Sequence, residues 1–549
     1  MSFKNGIRGL KKNPAWLAFC LIWALLFLLG IVFLGKAKYI EAAGCLLWGG
    51  ISVYLFFVCA NGAAVGLPAY TGDRKKDLRT DLLLAVICVL LVLACTLPMG
   101  AAPAYNGEFA QHRNQYELLA RSFREGHLYF DYDDVDPLLS QMANPYDPAE
   151  RTALGVTVYT DHTYYQGRYY MYFGVVPVWI LFLPYLLITG RDLTTYHATQ
   201  IFAALAIIGV FLLFRQLAKR YFGRMSRILL FSLSVAFSFI CVYFSIGTPA
   251  LYCTATTSAV CMEVWSLYFF TRSIFLTEPR QVRRRVGSAM LGSLFGALTF
   301  GCRPTAALGN LLLIPLCARF VREERSAGTP TRKIAGKVLL IALPYLLVAA
   351  ALMAYNYARF GNPFEFGQTY QMTGADLSSS GNLLQSFSTV RTVNGLFTTF
   401  FGFTPIVGTF PFVYYSSVFV NFPVLLAVFG LFREKVWERA GERKLRFFML
   451  TLLAAPVLIT GLTMSTWNPA ERYRMDIYYL LVLLAFLVIG FMREELDGKK
   501  AGHFEAAICV LCLAAVFFGV LFLLYPDDYN YTDWFPESLE TFRRLILLR

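Results

Sequence analysis

Apolar runs of about twenty residues recur along this chain from end to end, and that recurrence restricts its fold more than any motif does. In helical form such a run crosses a ~30 Å hydrocarbon core, where each backbone polar group must be paired within the segment itself. The runs predict spans near 15–35, 43–66, 81–101, 194–214, 228–246, 254–275, 287–302, 306–320, 338–356, 411–432, 447–465, 475–492 and 504–525. Composition agrees, with 57% hydrophobic, 16% aromatic and only 15% charged residues, far from the usage of water-soluble domains. The expected fold is an all-α polytopic membrane protein of about 13 transmembrane helices.

The net charge of +14 is no nucleic-acid footprint, because the excess sits in short linkers between spans. Basic linkers mark the cytoplasmic side of a membrane protein. Lys4, Arg8, Lys11 and Lys12 therefore put the N-terminus in the cytoplasm, and Arg74, Lys75, Lys76 and Arg79 put the next turn there too. Later basic clusters fall at 215–227, 280–285, 319–337, 433–444 and 493–500, in step with the spans. The first span follows a basic start without a small-residue cleavage site, as a retained signal anchor does. One stretch, VVPVWILFLPYLLITG at 175–190, is apolar but short and interrupted by Pro177 and Pro184. Counting it as a span would reverse the later linkers, so it reads as a juxtamembrane or re-entrant helix on the outer face.

This topology divides the chain into an N-terminal transmembrane hairpin (1–80), a core (81–356) with a large external loop after the third span (102–171), a second external region (357–410), and C-terminal helices with an external tail (411–549). The expected setting is a plasma membrane, bacterial by its general plan. The external loop reverses the charge balance of the rest: ten acids stand against Arg113, Arg121, Arg124, Arg151 and Arg168. Large ordered loops beside membrane spans are where recognition and chemistry concentrate. The loop lacks cysteine, so packing rather than disulfides must hold it, and Cys509-x-x-Cys512 lies in an apolar helix as a pair of small packing residues. His112, His127 and His162 show no metal-ligand spacing.

Several charges sit where spans meet the outer face: Arg303 in LTFGCRPTAAL, Arg359 in YNYARFGNP, and Glu471, Arg472, Arg474 and Asp476 in WNPAERYRMDIYY. Charges at that depth are costly and usually face a polar cavity or a partner. Arginine at a span end also anchors to lipid headgroups, and the run Tyr164, Tyr165, Tyr169, Tyr170, Tyr172 also reads as an interfacial aromatic belt. Gathered beside a carboxylate-rich loop, guanidinium groups suit bidentate capture of a phosphate, including a lipid phosphate. Aromatic rings beside acids suit a sugar, which places Tyr165 and Arg168 with the substrate side.

This plan of many spans, an early external loop and outer arginines resembles the GT-C membrane glycosyltransferases over roughly 80–525. Within them it is most similar to the family 39 type, which includes protein O-mannosyltransferases and lipid A aminoarabinose transferases. NQYELLARSFREGHLYFD looks like that type's acid-led Tyr/Leu/Ala-rich helix ending in Gly, and VVPVWILFLPYLLITG like its Pro-containing juxtamembrane segment. The departure is at the acid, where this chain has Asn114 and Gln115. The resemblance implies transfer of a hexosyl or pentosyl group from a polyprenyl-phosphate donor to a glycan, lipid or protein acceptor on the outer face.

Such an inverting transfer needs a carboxylate to take the acceptor proton and cations to stabilise the departing phosphate. The candidates are Glu108, Asp161 or Glu117 for the base, and Arg303, Arg359, Arg472 and Arg474 with Glu471 for the phosphate side. No nucleotide loop and no cofactor is expected beyond the lipid-phosphate donor; no metal site is assigned, and a divalent metal stays open. Two other readings stand beside this one: a lipid-linked saccharide transporter, for which mid-span Glu263 speaks, and a non-catalytic scaffold of envelope biosynthesis.

Overall fold

A computed structural model describes residues 49–51, 54, 58, 74–94, 114–247, 251–275, 281–378, 388–402, 416–466 and 471–522. The first helix described at length, α1 (Arg74–Ala94), is followed by α2 (Gln115–Glu125), α3 (Pro148–Leu154) and a two-stranded hairpin of β1 (His162–Tyr165) and β2 (Arg168–Met171). A short apolar helix, α4 (Val178–Thr189), leads to α5 (Thr195–Tyr221), α6 (Arg227–Gly247), α7 (Leu251–Phe275) and α8 (Val282–Phe300). A 3₁₀ segment, Ala306–Leu312, runs into α9 (Leu313–Ser326); then come α10 (Thr331–Phe360) and α11 (Thr389–Phe400). Beyond a second 3₁₀ segment, Pro423–Phe432, lie α12 (Arg446–Thr466), α13 (Glu471–Glu494) and α14 (Gly498–Phe522).

Six of these helices, α5, α6, α10, α12, α13 and α14, are long and apolar enough to cross a membrane, so the chain is a multi-pass membrane protein. In α13, 94% of the apolar window is buried inside the protein, against 22% in α10. A helix apolar on all sides sits at the centre of a bundle or faces lipid on most sides, and these two are the two cases. Leu339, Leu346 and Leu347 of α10 are accordingly exposed. The segments predicted at 306–320 and 411–432 are partly 3₁₀, whose rise of about 2.0 Å per residue covers more distance with fewer residues. The stretch read as juxtamembrane is α4, twelve residues that open with a π-turn. At about 1.5 Å per residue it is too short to cross, and it packs on α2.

The basic linkers are tied to one another at one end of the bundle. Arg215 pairs with Asp81, Arg227 with Asp77, Arg224 with Asp497, Arg433 with Glu495, and Arg493 with Glu505. Arg319 donates to the Tyr221 hydroxyl and to the Arg443 carbonyl, drawing the turns after α5 and before α12 to the same end. Cys509 and Cys512 are both buried in α14.

At the other end, residues 114–172 and 361–378 fold together into one cap. Gln166 and Gly167 both take positive φ, 48° and 79°, the pattern of a tight two-residue hairpin turn. The hairpin registers Tyr164 with Tyr169 and Tyr165 with Arg168. Chain 370–372 lies along β1: Tyr164 N–H donates to the Tyr370 carbonyl and Met372 N–H to the His162 carbonyl, at 2.9 and 2.8 Å. Arg151 donates to the Thr373 carbonyl at 2.6 Å, and Asn144 to Asp376 at 2.8 Å. Described parts of the two regions expected between the spans, 114–172 and 361–378, thus pack against one another. Tyr164, Tyr169 and Tyr170 form the core of this cap, which corrects their reading as an interfacial belt.

Candidate functional site

The cap meets the bundle where the chain leaving β2 crosses the end of α8. A Cβ on Gly174 would lie 2.2 Å from the Gly301 carbonyl oxygen, so this backbone crossing requires glycine. Val176 N–H donates to that same carbonyl at 2.9 Å. The crossing sets Tyr172 on one side and Arg303 on the other, and burial pushes the Tyr172 phenol up to about 12.

Asp161 stands at the corner entering β1 with φ of 59°, a left-handed conformation that a non-glycine residue holds at a cost. Its surroundings hold it there. Its N–H donates to the Met372 carbonyl at 2.9 Å, its carbonyl accepts from Gln115 Nε2 at 3.0 Å, and its Oδ1 accepts from Gln371 Nε2 at 3.2 Å. Its Oδ2 accepts from the hydroxyl of Tyr252, at the start of α7.

Tyr252 joins Asp161 to the arginines. The Arg472 guanidinium lies 4.7 Å from the Tyr252 ring centre and 5.2 Å from that of Tyr473. Arg303 lies 5.6 Å from the Tyr473 ring, and its Nε donates to both oxygens of fully buried Asp476 at 2.9 and 2.8 Å. Thr305 donates to the same carboxylate at 3.1 Å. The terminal amino groups of Arg303 donate to no described group, so they remain able to grip an anion. Asp161, Tyr252, Arg472, Tyr473 and Arg303 therefore make one cluster of a carboxylate and two cations, drawn from the cap, α7, the turn after α8, and α13.

The other predicted residues lie elsewhere. Glu108 lies outside the described residues. Glu117 is buried beneath the cap, accepting from the Thr195 N–H and, at 2.9 Å, from its hydroxyl; it closes the N-terminus of α5 as a capping side chain would. Burial pushes its carboxyl up to about 7, against those hydrogen bonds. Arg359 donates to the Met171 carbonyl at 3.0 Å and to Asn356 at 2.8 Å, pinning β2 to the top of α10. Arg474 and Glu471 form a buried pair at 2.6 Å, with Tyr243 and Tyr478 donating to the acid and Arg474 to the Ser416 carbonyl. Tyr165 packs on Phe360 and Tyr370, and Arg168 stacks 4.0 Å over Tyr129.

Two groups escaped the sequence. His127 Nε2 lies 3.4 Å from Glu125 and 3.0 Å from Asp131, and the three offer ligand atoms within 4.8 Å of one another that a cation would suit. A turn of the loop makes that grouping, not the residue spacing. Tyr252 and Tyr473 carried no charge signal and became visible only as rings beside Arg472. Deeper in α7, both carboxyl oxygens of Glu263 are buried, close to Thr299 and with no well-formed hydrogen bond among the described residues. A Cβ on Gly309 would lie 1.7 Å from the Tyr479 hydroxyl and 3.3 Å from the Glu263 carboxyl carbon.

Two solved structures of the Archaeoglobus fulgidus oligosaccharyltransferase are similar to this chain. The apo form aligns at 14% identity with a TM-score of 0.41. The AglB complex with an inhibitory peptide and a dolichol-phosphate aligns at 13% with a TM-score of 0.45. Each alignment covers 85% of this chain, which spans 60% of the archaeal one. No family model and no curated protein matches the chain.

Proposed function

We propose that this protein is a GT-C-type membrane glycosyltransferase of about 13 spans, family 39-like in plan, that moves a sugar from a polyprenyl-phosphate donor to an acceptor hydroxyl. The observation that carries the reading is the placement of Asp161 in one cluster with Arg303 and Arg472. Asp161 takes the proton of the acceptor hydroxyl as the new bond to the sugar's anomeric carbon forms. The bond from that carbon to the phosphate oxygen breaks on the opposite side, and the lipid phosphate leaves with the electron pair. Arg303 and Arg472 hold the charge that develops there, a term usually worth more than the proton transfer. Asp476 fixes Arg303 by its Nε edge and leaves its outer edge for the phosphate. The cluster faces the outside of a plasma membrane, with a cytoplasmic N-terminus and external C-terminus, as the basic linkers at the other end favour.

The test is reconstitution in liposomes with a polyprenyl-phosphate sugar labelled in the sugar. A transferase releases polyprenyl phosphate and labels an acceptor, and Asp161→Asn slows both by about 10²-fold or more. A transporter carries the intact lipid across and is indifferent to that substitution; a scaffold does neither.

A further inference from the structure

At the end of the bundle opposite the Asp161 cluster, a cavity of about 340 Å³ lies between the start of α8, α9 and the start of α12. Arg285 and Arg303 mark the two ends of α8, whose nineteen residues set them about 28 Å apart along the axis. Four cations line the cavity, Arg285, Arg319, Arg322 and Lys444, against the single acid Glu323. Glu323 is already shared between Arg285 and Arg319, at 2.5 and 2.9 Å. Neighbouring Glu324 is taken up by Arg285 and Lys337. Arg322 and Lys444 pair with no carboxylate among the described residues. Arg285 is only 7% exposed, and its Nε has no hydrogen-bond partner among the described residues. Lys444 holds a left-handed backbone, φ 57°, at the rim.

The rest of the lining is largely apolar, with Leu316, Phe447 and Phe448. Phe447 is 55% exposed and, with Leu450 at 43%, continues the apolar lining onto the outward face of α12, a helix long and apolar enough to cross the membrane. Surplus cations above a greasy, membrane-facing wall match a molecule with a phosphate at one end and acyl chains at the other. Basic pockets at this level between membrane helices take anionic lipid headgroups.

We propose that this cavity binds the phosphate of an anionic phospholipid drawn from the leaflet opposite the Asp161–Arg303 cluster. Arg322 and Lys444 receive the phosphate oxygens, and the acyl chains follow Phe447 down α12.

The full chain, purified in mild detergent and stripped of lipid, is followed by native mass spectrometry and thermal unfolding with phosphatidylglycerol, phosphatidylcholine or inorganic phosphate. Phosphatidylglycerol should be retained and raise the unfolding temperature, while the other two should not. Arg322→Gln with Lys444→Gln should weaken retention about tenfold or more; the charge-keeping pair Arg322→Lys with Lys444→Arg should preserve it. Both positions are exposed, so the variants leave the fold intact. Equal retention of phosphatidylcholine overturns the proposal, as does undiminished binding in the charge-removing pair. A shift with inorganic phosphate equal to that with phosphatidylglycerol also overturns it, since the ligand is then a soluble anion.

Discussion

Arg303 presents one edge of its guanidinium to both carboxylate oxygens of Asp476, at 2.9 and 2.8 Å, and keeps its two terminal amino groups uncommitted among the described residues. Asp476 is fully buried, so removing the cation leaves an uncompensated charge. Breaking such a pair from one side costs ~3–5 kcal/mol, whereas replacing both partners by apolar groups is often neutral. Arg303→Ala should therefore lower the unfolding temperature sharply, and Arg303→Met with Asp476→Leu should recover it. Transferase activity should be lost in both. Activity in the stable double variant would remove Arg303 from the phosphate side.

Asp161 gives a sharper separation of structure from chemistry. Asparagine tolerates the left-handed backbone and keeps acceptor and donor atoms for Tyr252 and Gln371, so Asp161→Asn should fold like the parent. Loss of a general base lowers turnover by about 10²- to 10⁴-fold. Turnover measured beside thermal unfolding decides it: a full-rate Asp161→Asn protein would end the assignment of the base.

Glu117 predicts a dependence of stability on pH. Its carboxyl ionises near pH 4.5 in the unfolded chain and is pushed up to about 7 in the fold. The folded state then binds the extra proton between those values, so stability from this group is fully present below about pH 4.5 and is lost as pH rises through about 7. Unfolding temperatures of the parent and of Glu117→Gln, taken from pH 5 to pH 8, should diverge by a few degrees, with the parent falling relative to the variant. Parallel curves would show that Glu117 is not titrating in this window.

Gly309 tests the buried contact beside Glu263. A methyl there would sit 1.7 Å from the Tyr479 hydroxyl, so Gly309→Ala should destabilise by ~1–3 kcal/mol. Tyr479→Phe removes the clashing oxygen and should restore part of that loss in the double variant. Thermal unfolding of the four proteins gives the coupling; strict additivity would mean the helices have moved apart.

What the sequence disclosed followed physical scale. Runs of twenty apolar residues declare membrane helices directly, and the basic linkers announce their shared end, as the ion pairs joining Asp77, Asp81, Arg215 and Arg227 bear out. Pro177 and Pro184 set α4 apart from the spans in the sequence, and in the fold it is a helix of twelve residues. Arg303 and Arg472 stand out in the sequence as costly charges at span ends, and Asp161 as a carboxylate of the large loop. Their ordering does not, because it depends on Tyr252 and Tyr473, uncharged residues brought in from separate helices. Charge alone likewise failed to separate Arg359, which holds backbone, or Glu471 and Arg474, which neutralise each other, from Arg303 and Arg472. The tyrosine run misled for a similar reason: alternation along a hairpin buries Tyr164 and Tyr169, and a belt and a strand core have the same composition.

The isolated bridge from Gln371 to Thr163 of β1 carries a consequence for biogenesis. Gln371 reaches Asp161 across 210 residues of chain, and α5 to α10 lie between them. At ribosomal rates of ~5–20 residues per second, Asp161 is synthesised roughly 10–40 s before the segment that fixes its corner exists. The nascent protein thus carries an unfinished cap while α5 to α10 are being made. The Asp161 corner becomes fixed only once those intervening helices have been synthesised.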